Sequence, residues 1–388
     1  MRLSEKQLEE IKNKYGVKLL WSFSRFDLYR TSHYEWFLKY ILKKKEDNPK
    51  VSAYGIIGGV VHDLIEKLYE GKIKRENLIN EFENEWLVNI GALGLYFDRN
   101  DSDKNNMIKS KYYDNIKLFF KDYNMLDYKM INEQFVSIKV SDDIVFQGYI
   151  DALYKDNDGF INIVDYKTST KYSGNAIKEH AGQLLLYAEG IRQLGVPKEK
   201  IRICWNFLKY CNFSFVQKNG KEKVRTIERR VLGEKIKNTV IGWMRDLDYS
   251  ESEIDEYIEN LIFTNDTSIL PKDIQEKFTI DDCYVYVDDI WDKYDELRKE
   301  IIDTITNDIN VKVTNYNINN DEEIFFDDKD NLDANSYYYS NLCGYSINTL
   351  KPYKQYLEDL NIINENNSNN EKENDINNND LLALLNLI

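Results

Sequence analysis

Three charged residues stand in stretches that are otherwise apolar. Asp151 ends G-Y-I-D at 148–151, and Asp165 and Lys167 sit two apart in I-V-D-Y-K at 163–167. Burying charges on strands is costly unless they pair or hold a metal. Two carboxylates at converging positions offer hard oxygen ligands to a divalent cation, and that cation relieves their mutual repulsion. Lys167 projects from the same strand face as Asp165. There it would orient or deprotonate a water, or stabilise charge developing on a phosphate. A metal, a water and a cation are the parts of metal-assisted phosphodiester hydrolysis. The competing reading makes Asp165 and Lys167 a solvated strand face and Asp151 an acid beside a turn. All three together, embedded in apolar strands, speak against it.

Other residues extend the pattern. His62, in G-G-V-V-H-D-L-I-E, falls on a helix and would bind the same metal, with Glu66 one turn later to fix its ring. Gln183 and Tyr187 share one side of a later helix, flanking its apolar stripe. They would hydrogen-bond a phosphate or position the site's other groups. His33 and His180 have no comparable context.

The elements that must position these residues follow from periodicity. Residues 1–50 read as helical, and Gly55–Gly59 breaks the pattern. A helix starts near Val60, with Val61, Leu64, Ile65 and Leu68 on its apolar face, and helical patterning resumes over 75–125. Val136, Ile138 and Val140 alternate as a strand. Phe146–Tyr154 and Phe160–Tyr166 form a hairpin closed by Lys155-Asp-Asn-Asp-Gly159. A helix over 176–194 follows, ended by Gly195-Val-Pro197, then a strand through Ile201, Ile203, Trp205 and Phe207. Residues 211–229 read as a further hairpin turned at Asn219-Gly220. The order is helix, three strands, helix, strand, with a mostly helical insertion from 232.

Composition sets limits. Acidic residues outnumber basic ones, 67 to 52, which argues against gripping nucleic acid by bulk charge but leaves room for a local basic groove. Cys204, Cys211, Cys283 and Cys343 are scattered with no C-x-x-C pair. The opening residues are too charged for a signal peptide, and no run has the apolar length of a membrane span. A reduced, soluble, cytoplasmic protein of a bacterium or phage-infected cell is expected, with no membrane partner.

These motifs resemble the PD-(D/E)XK nuclease superfamily, specifically its RecB-like branch. G-x-x-x-H (Gly58–His62), G-Y-I-D, D-Y-K and Q-x-x-x-Y (Gln183–Tyr187) occur in that branch's order and spacing, after an opening S-x-S-R at 22–25. The resemblance implies an α/β (α+β) fold with a restriction-endonuclease-like αβββαβ core and mixed central sheet, here over 58–231. A helical N-terminal segment at 1–57 and the insertion at 232–335 flank it. It implies a Mg²⁺- or Mn²⁺-dependent DNase. His62, Asp151, Asp165 and the backbone carbonyl of Tyr166 would be the metal ligands, Lys167 the catalytic lysine, and Gln183 and Tyr187 the accessory pair. Glu133 resembles an acid often found before the second strand.

One departure concerns iron. Many RecB-like nucleases hold a [4Fe–4S] cluster on four cysteines, and the matching places here are Ser32, Ser340, Cys343 and Leu350. One thiolate cannot hold a cluster that needs four. No iron–sulfur cluster is expected, and Tyr345 and Tyr353 would close the C-terminal segment 336–360 by aromatic packing. Residues 361–380 are half Asn and read as a disordered linker, and the abruptly apolar 381–388 reads as a docking peptide for a replication or recombination protein or as a segment folding back on the chain. There is no Walker A motif, so unwinding would need a separate helicase.

The combined expectation is a DNA exonuclease acting on ends or single strands in recombination, repair or phage replication. A non-catalytic DNA-binding or assembly subunit on a nuclease fold, or a structural component of a larger complex, are the alternatives.

Overall fold

The computed structural model describes residues 3–47, 52–92, 95–326 and 336–351. The described residues form two compact units, one within 3–27 and 52–311, the other within 28–47 and 312–351.

The first unit is built on a mixed sheet of seven strands: β1 (Leu20–Trp21), β2 (Ile131–Lys139), β3 (Val145–Lys155), β4 (Ile161–Lys167), β5 (Ile201–Val216), β6 (Glu222–Glu228) and β7 (Phe278–Tyr286). The path runs β1-β3-β4-β5-β6, with β2 on β3 and β7 on β5. The β1–β3 and β4–β5 pairs are parallel and the others antiparallel. β4 and β5 run parallel because the chain crosses between them through the helix Gly182–Gln193, as a parallel connection requires. The expected order of helix, three strands, helix and strand is present.

Side chains alternate across the sheet. Ala152, Val164, Tyr166, Cys204 and Leu208 enter one core with the helices Ala53–Tyr69 and Ser102–Asp122. Asp165, Lys167, Trp205 and Phe207 belong to the opposite face. There the backbone of the helix Gly182–Gln193 lies so close to β2 that a Cβ on Gly190 would fall 2.3 Å from Val136. The far half of β5, with β6, carries a separate core. In it Phe213 and Ile227 pack with Ile236, Val240, Ile258 and Leu261 of the helices Leu232–Asp246 and Glu251–Thr264.

The structure departs from the pattern reading in four places. The N-terminal segment, read as helical, contains β1, because Leu20 and Trp21 pair in parallel with Val145 and Phe146 of β3. The helix Ala53–Tyr69 runs through Gly55, Gly58 and Gly59. Three helical glycines cost roughly 1 kcal/mol each. Burial of Ile57, Val61, Leu64, Ile65 and Leu68 outweighs that, at about 1.5–3 kcal/mol per side chain. The predicted helix over 176–194 is two pieces, Asn175–His180 and Gly182–Gln193. The stretch 232–335 contains β7 as well as helices. β7 pairs with β5 across a register shift between Asn206 and Cys211, and that long-range partner is what makes it a strand.

In the second unit, Phe37 of the helix His33–Tyr40 stacks on Phe325 at 4.4 Å and meets Tyr316 edge-on at 4.8 Å. Ser32 caps that helix through the Glu35 N–H. Buried Glu35 accepts from the Tyr338 hydroxyl at 2.8 Å, and burial raises its pKa. Tyr345 is buried and donates to the Lys44 carbonyl at 2.9 Å. Cys343 and Leu350 are fully buried, and the Ser340 hydroxyl bonds its own turn at Tyr337. All four cysteines are buried free thiols. Tyr353, the Asn-rich stretch and the apolar end at 381–388 lie outside the described residues.

Candidate metal centre and catalytic cleft

Asp151 sits where both of its neighbouring ladders are interrupted. The β2–β3 pairing extends from Ile131–Leu153 to Lys139–Val145 but skips the Glu133–Asp151 position. Glu133 there adopts φ 50°, left-handed backbone that costs a non-glycine residue about 1–3 kcal/mol and is concentrated at functional sites. The β3–β4 pairing ends at Ala152–Val164, one step short of Asp151 and Asp165. The sheet therefore opens around these carboxylates.

Local bonds hold Asp151 in that opening. Its Oδ2 accepts the Tyr166 N–H at 2.9 Å, and its Oδ1 lies 3.7 Å from His62 Nδ1. His62 Nε2 is 3.0 Å from the Tyr166 carbonyl, which only accepts, so this bond calls for the Nε2–H tautomer. Burial lowers the His62 pKa and favours the neutral ring, the form that ligates metals. Glu66 makes no bond to the ring; Tyr166 and Asp151 take the orienting role expected of it.

One ligand atom each from His62, Glu133 and Asp151 fall within 4.8 Å of one another. Burial, and then the nearby Asp165, push the Asp151 pKa well above the usual carboxylate range. Burial and the neighbouring carboxylate outweigh the opposing effect of Lys167, and a bound cation would favour the ionised form of Asp151. Two carboxylates with one imidazole fit a divalent metal. Asp165 stands outside this trio, buried, with Oδ2 2.6 Å from Lys167 Nζ. Burial works against the Lys167 charge, but Asp165 and then Asp151 more than offset it, so the Lys167 pKa rises. Lys167 is therefore a cation at neutral pH.

Asp151, Lys167 and His62 open onto a cleft of about 530 Å³. Gln183 and Tyr187 form part of its wall, with Gln183 Nε2 donating to the Tyr187 hydroxyl at 2.7 Å. Tyr187 lies against the backbone of Gly148, where an added Cβ would fall 2.5 Å from the ring. The glycine of G-Y-I-D is thus the space Tyr187 occupies. Tyr172 and His180 also line the cleft, stacked at 4.2 Å. Sequence reasoning left both out, because no local pattern joins residues on a loop and a short helix. His33 lies in the other unit, stacked on Tyr29 and 3.1 Å from Lys312 Nζ.

A sheet with this order, a D-Y-K strand end and an acid–imidazole cluster at its opening define a metal-dependent nuclease scaffold. A family model of the PD-(D/E)XK nuclease superfamily matches residues 20–265, and the chain belongs to that superfamily. No curated protein matches the chain. Membership points to nuclease activity supported by a divalent metal, with DNA as the substrate. No helix among the described residues is long and apolar enough to cross a membrane.

Proposed function

We propose that this protein is a Mg²⁺- or Mn²⁺-dependent DNA exonuclease of the RecB-like branch, hydrolysing phosphodiester bonds at ends or in single strands during recombination, repair or phage replication. The observation that carries the nuclease reading is the His62, Glu133 and Asp151 cluster, opening with the cationic Lys167 onto one cleft. The exonuclease reading rests on the ordered RecB-like motifs.

His62, Glu133 and Asp151 would hold the metal, with Asp165 beside Asp151 as a further ligand, while the Tyr166 carbonyl named in the sequence reading accepts the His62 Nε2–H and orients the ring. A divalent cation there supplies Lewis acidity toward a phosphoryl oxygen and lowers the pKa of water. Lys167 contributes a fixed positive charge where the phosphorane-like transition state gains negative charge. Its raised pKa favours this role over that of a base at neutral pH. Asp165 holds the Lys167 ammonium in place at 2.6 Å. Gln183 and Tyr187, locked to each other, present polar groups to the substrate backbone.

The test is incubation of the full chain with end-labelled linear DNA and covalently closed circles in Mn²⁺ or Mg²⁺. Loss of linear DNA alone, with release from the labelled end, is expected. Cutting of circles would make it an endonuclease. No metal-dependent cleavage of any substrate would favour a binding or assembly subunit.

Metal binding should also be visible as stability. A Mn²⁺ concentration a hundredfold above its dissociation constant stabilises by about 2.7 kcal/mol. Asp151→Asn is expected to remove most of that increment in thermal melts. Without metal, the raised Asp151 pKa has a defined sign. Its contribution is full below the unfolded value near about 4 and is lost as pH rises through the folded value. The difference in stability between wild type and Asp151→Asn should therefore move against the wild type as pH rises. A pH-independent difference would count against the assignment. Metal analysis of anaerobically purified protein is expected to find no stoichiometric iron.

A further inference from the structure

Tyr172 is fixed beside the catalytic strand. It meets the buried rings of Trp205 and Phe207 edge-on, at 5.2 Å and 87° and at 5.0 Å and 85°. Trp205 and Phe207 pair in register with Asp165 and Lys167, so all four project from one sheet face. His180 lies flat on Tyr172 at 4.2 Å and 23°, at the end of the short helix Asn175–His180. Its ring is exposed, lines the cleft with Lys167, and forms no hydrogen bond among the described residues. The result is a flat ring, backed by a pinned ring, open to the space where a phosphodiester would be cut.

We propose that His180, backed by Tyr172, is a stacking platform that seats the nucleobase next to the scissile phosphate and confines the cleft to unpaired strands. The inference rests on the nuclease reading above and narrows its substrate to unpaired nucleotides, with a named residue to seat the base. Within a duplex each base face is covered by its neighbours, so apart from the outer face of a terminal pair a side chain finds a free face on unpaired or frayed nucleotides. Stacking on a flat ring tolerates any base, because every base has a π-face. This suits a degradative enzyme better than a sequence-reading one. His180 is then a positioning residue, since it acts on the base and not on the reacting atoms.

The experiment compares wild type, His180→Ala and His180→Phe on a single-stranded oligonucleotide and on one carrying an abasic site at the seated position. His180→Ala should raise KM about tenfold with kcat nearly unchanged, within the range that loss of one base–aromatic stack produces. His180→Phe should restore KM, because it keeps the flat face without the ring nitrogens. The abasic oligonucleotide should show the raised KM with wild type and no further rise with His180→Ala. An unchanged KM in His180→Ala would overturn the platform. So would failure of His180→Phe to restore it together with an altered pH profile, which would assign the ring nitrogens an acid–base role. If wild-type protein cuts no DNA, the nuclease reading falls separately. Binding of a fluorescent single strand then decides the platform: loss in His180→Ala and recovery in His180→Phe support it, and equal binding by all three overturns it.

Discussion

Lys167→Ala is expected to lower kcat by about a hundred- to a thousandfold while leaving the fold and most of the substrate affinity in place. The magnitude is that of removing one preorganised charge aimed at a developing anion. Two features make the loss specific to the transition state. The ammonium is held by Asp165 at 2.6 Å, so it costs no reorganisation when charge appears. Its pKa is raised although burial opposes the charge, so the cation persists across the neutral range. Lys167→Arg keeps the charge but replaces a compact ammonium with a planar fork, and Asp165 would no longer aim it in the same way. That variant should recover only part of the rate. A single-turnover assay with end-labelled DNA separates these outcomes from an effect on binding. A Lys167→Ala enzyme with an unaltered single-turnover rate would remove Lys167 from the chemistry. Lys167→Ala leaves the buried Asp165 without its partner and should lower the melting temperature, so rates are compared at a temperature where every variant is folded.

Much of this site was legible because its parts are local. Asp151, Asp165 and Lys167 lie on a hairpin and strand whose alternation and turn residues are visible within about twenty residues. The helix carrying Gln183 and Tyr187 follows directly. What the sequence hid depends on partners far along the chain. Glu133 is legible on the resemblance alone, and its place in the cluster goes with a left-handed backbone opposite Asp151 that no local pattern announces. β7 takes its form from β5, some seventy residues away. The glycines at 55, 58 and 59 signalled a break because their propensity is poor, yet the buried face of the same helix decided otherwise. Tyr172 and His180 carry no motif. Their pairing arises from Trp205 and Phe207, which belong to a later strand.

Gly148 links the motif to the packing, and its replacement gives the sharpest structural test. A Cβ there would fall 2.5 Å from Tyr187 Cε1 and 3.0 Å from its hydroxyl oxygen. Tyr187 cannot yield easily, because it is buried and its hydroxyl is bonded to Gln183 at 2.7 Å. Overpacking of this kind costs about 1–3 kcal/mol. At roughly 2–4 °C per kcal/mol for a domain of this size, Gly148→Ala should lower Tm by several degrees. It should also reduce cleavage at least about tenfold, since a shift of the Gln183–Tyr187 pair misplaces groups facing the substrate. The cause is separable from any general dislike of alanine on β3. In a Tyr187→Ala background the space is already free, so adding Gly148→Ala should cost almost nothing further. The double-mutant cycle would then give a coupling energy of about 1–3 kcal/mol, the range found for residues in direct contact. Additive penalties would mean that Gly148 serves the strand and not the tyrosine, and the reading of G-Y-I-D and Q-x-x-x-Y as two halves of one wall would fail.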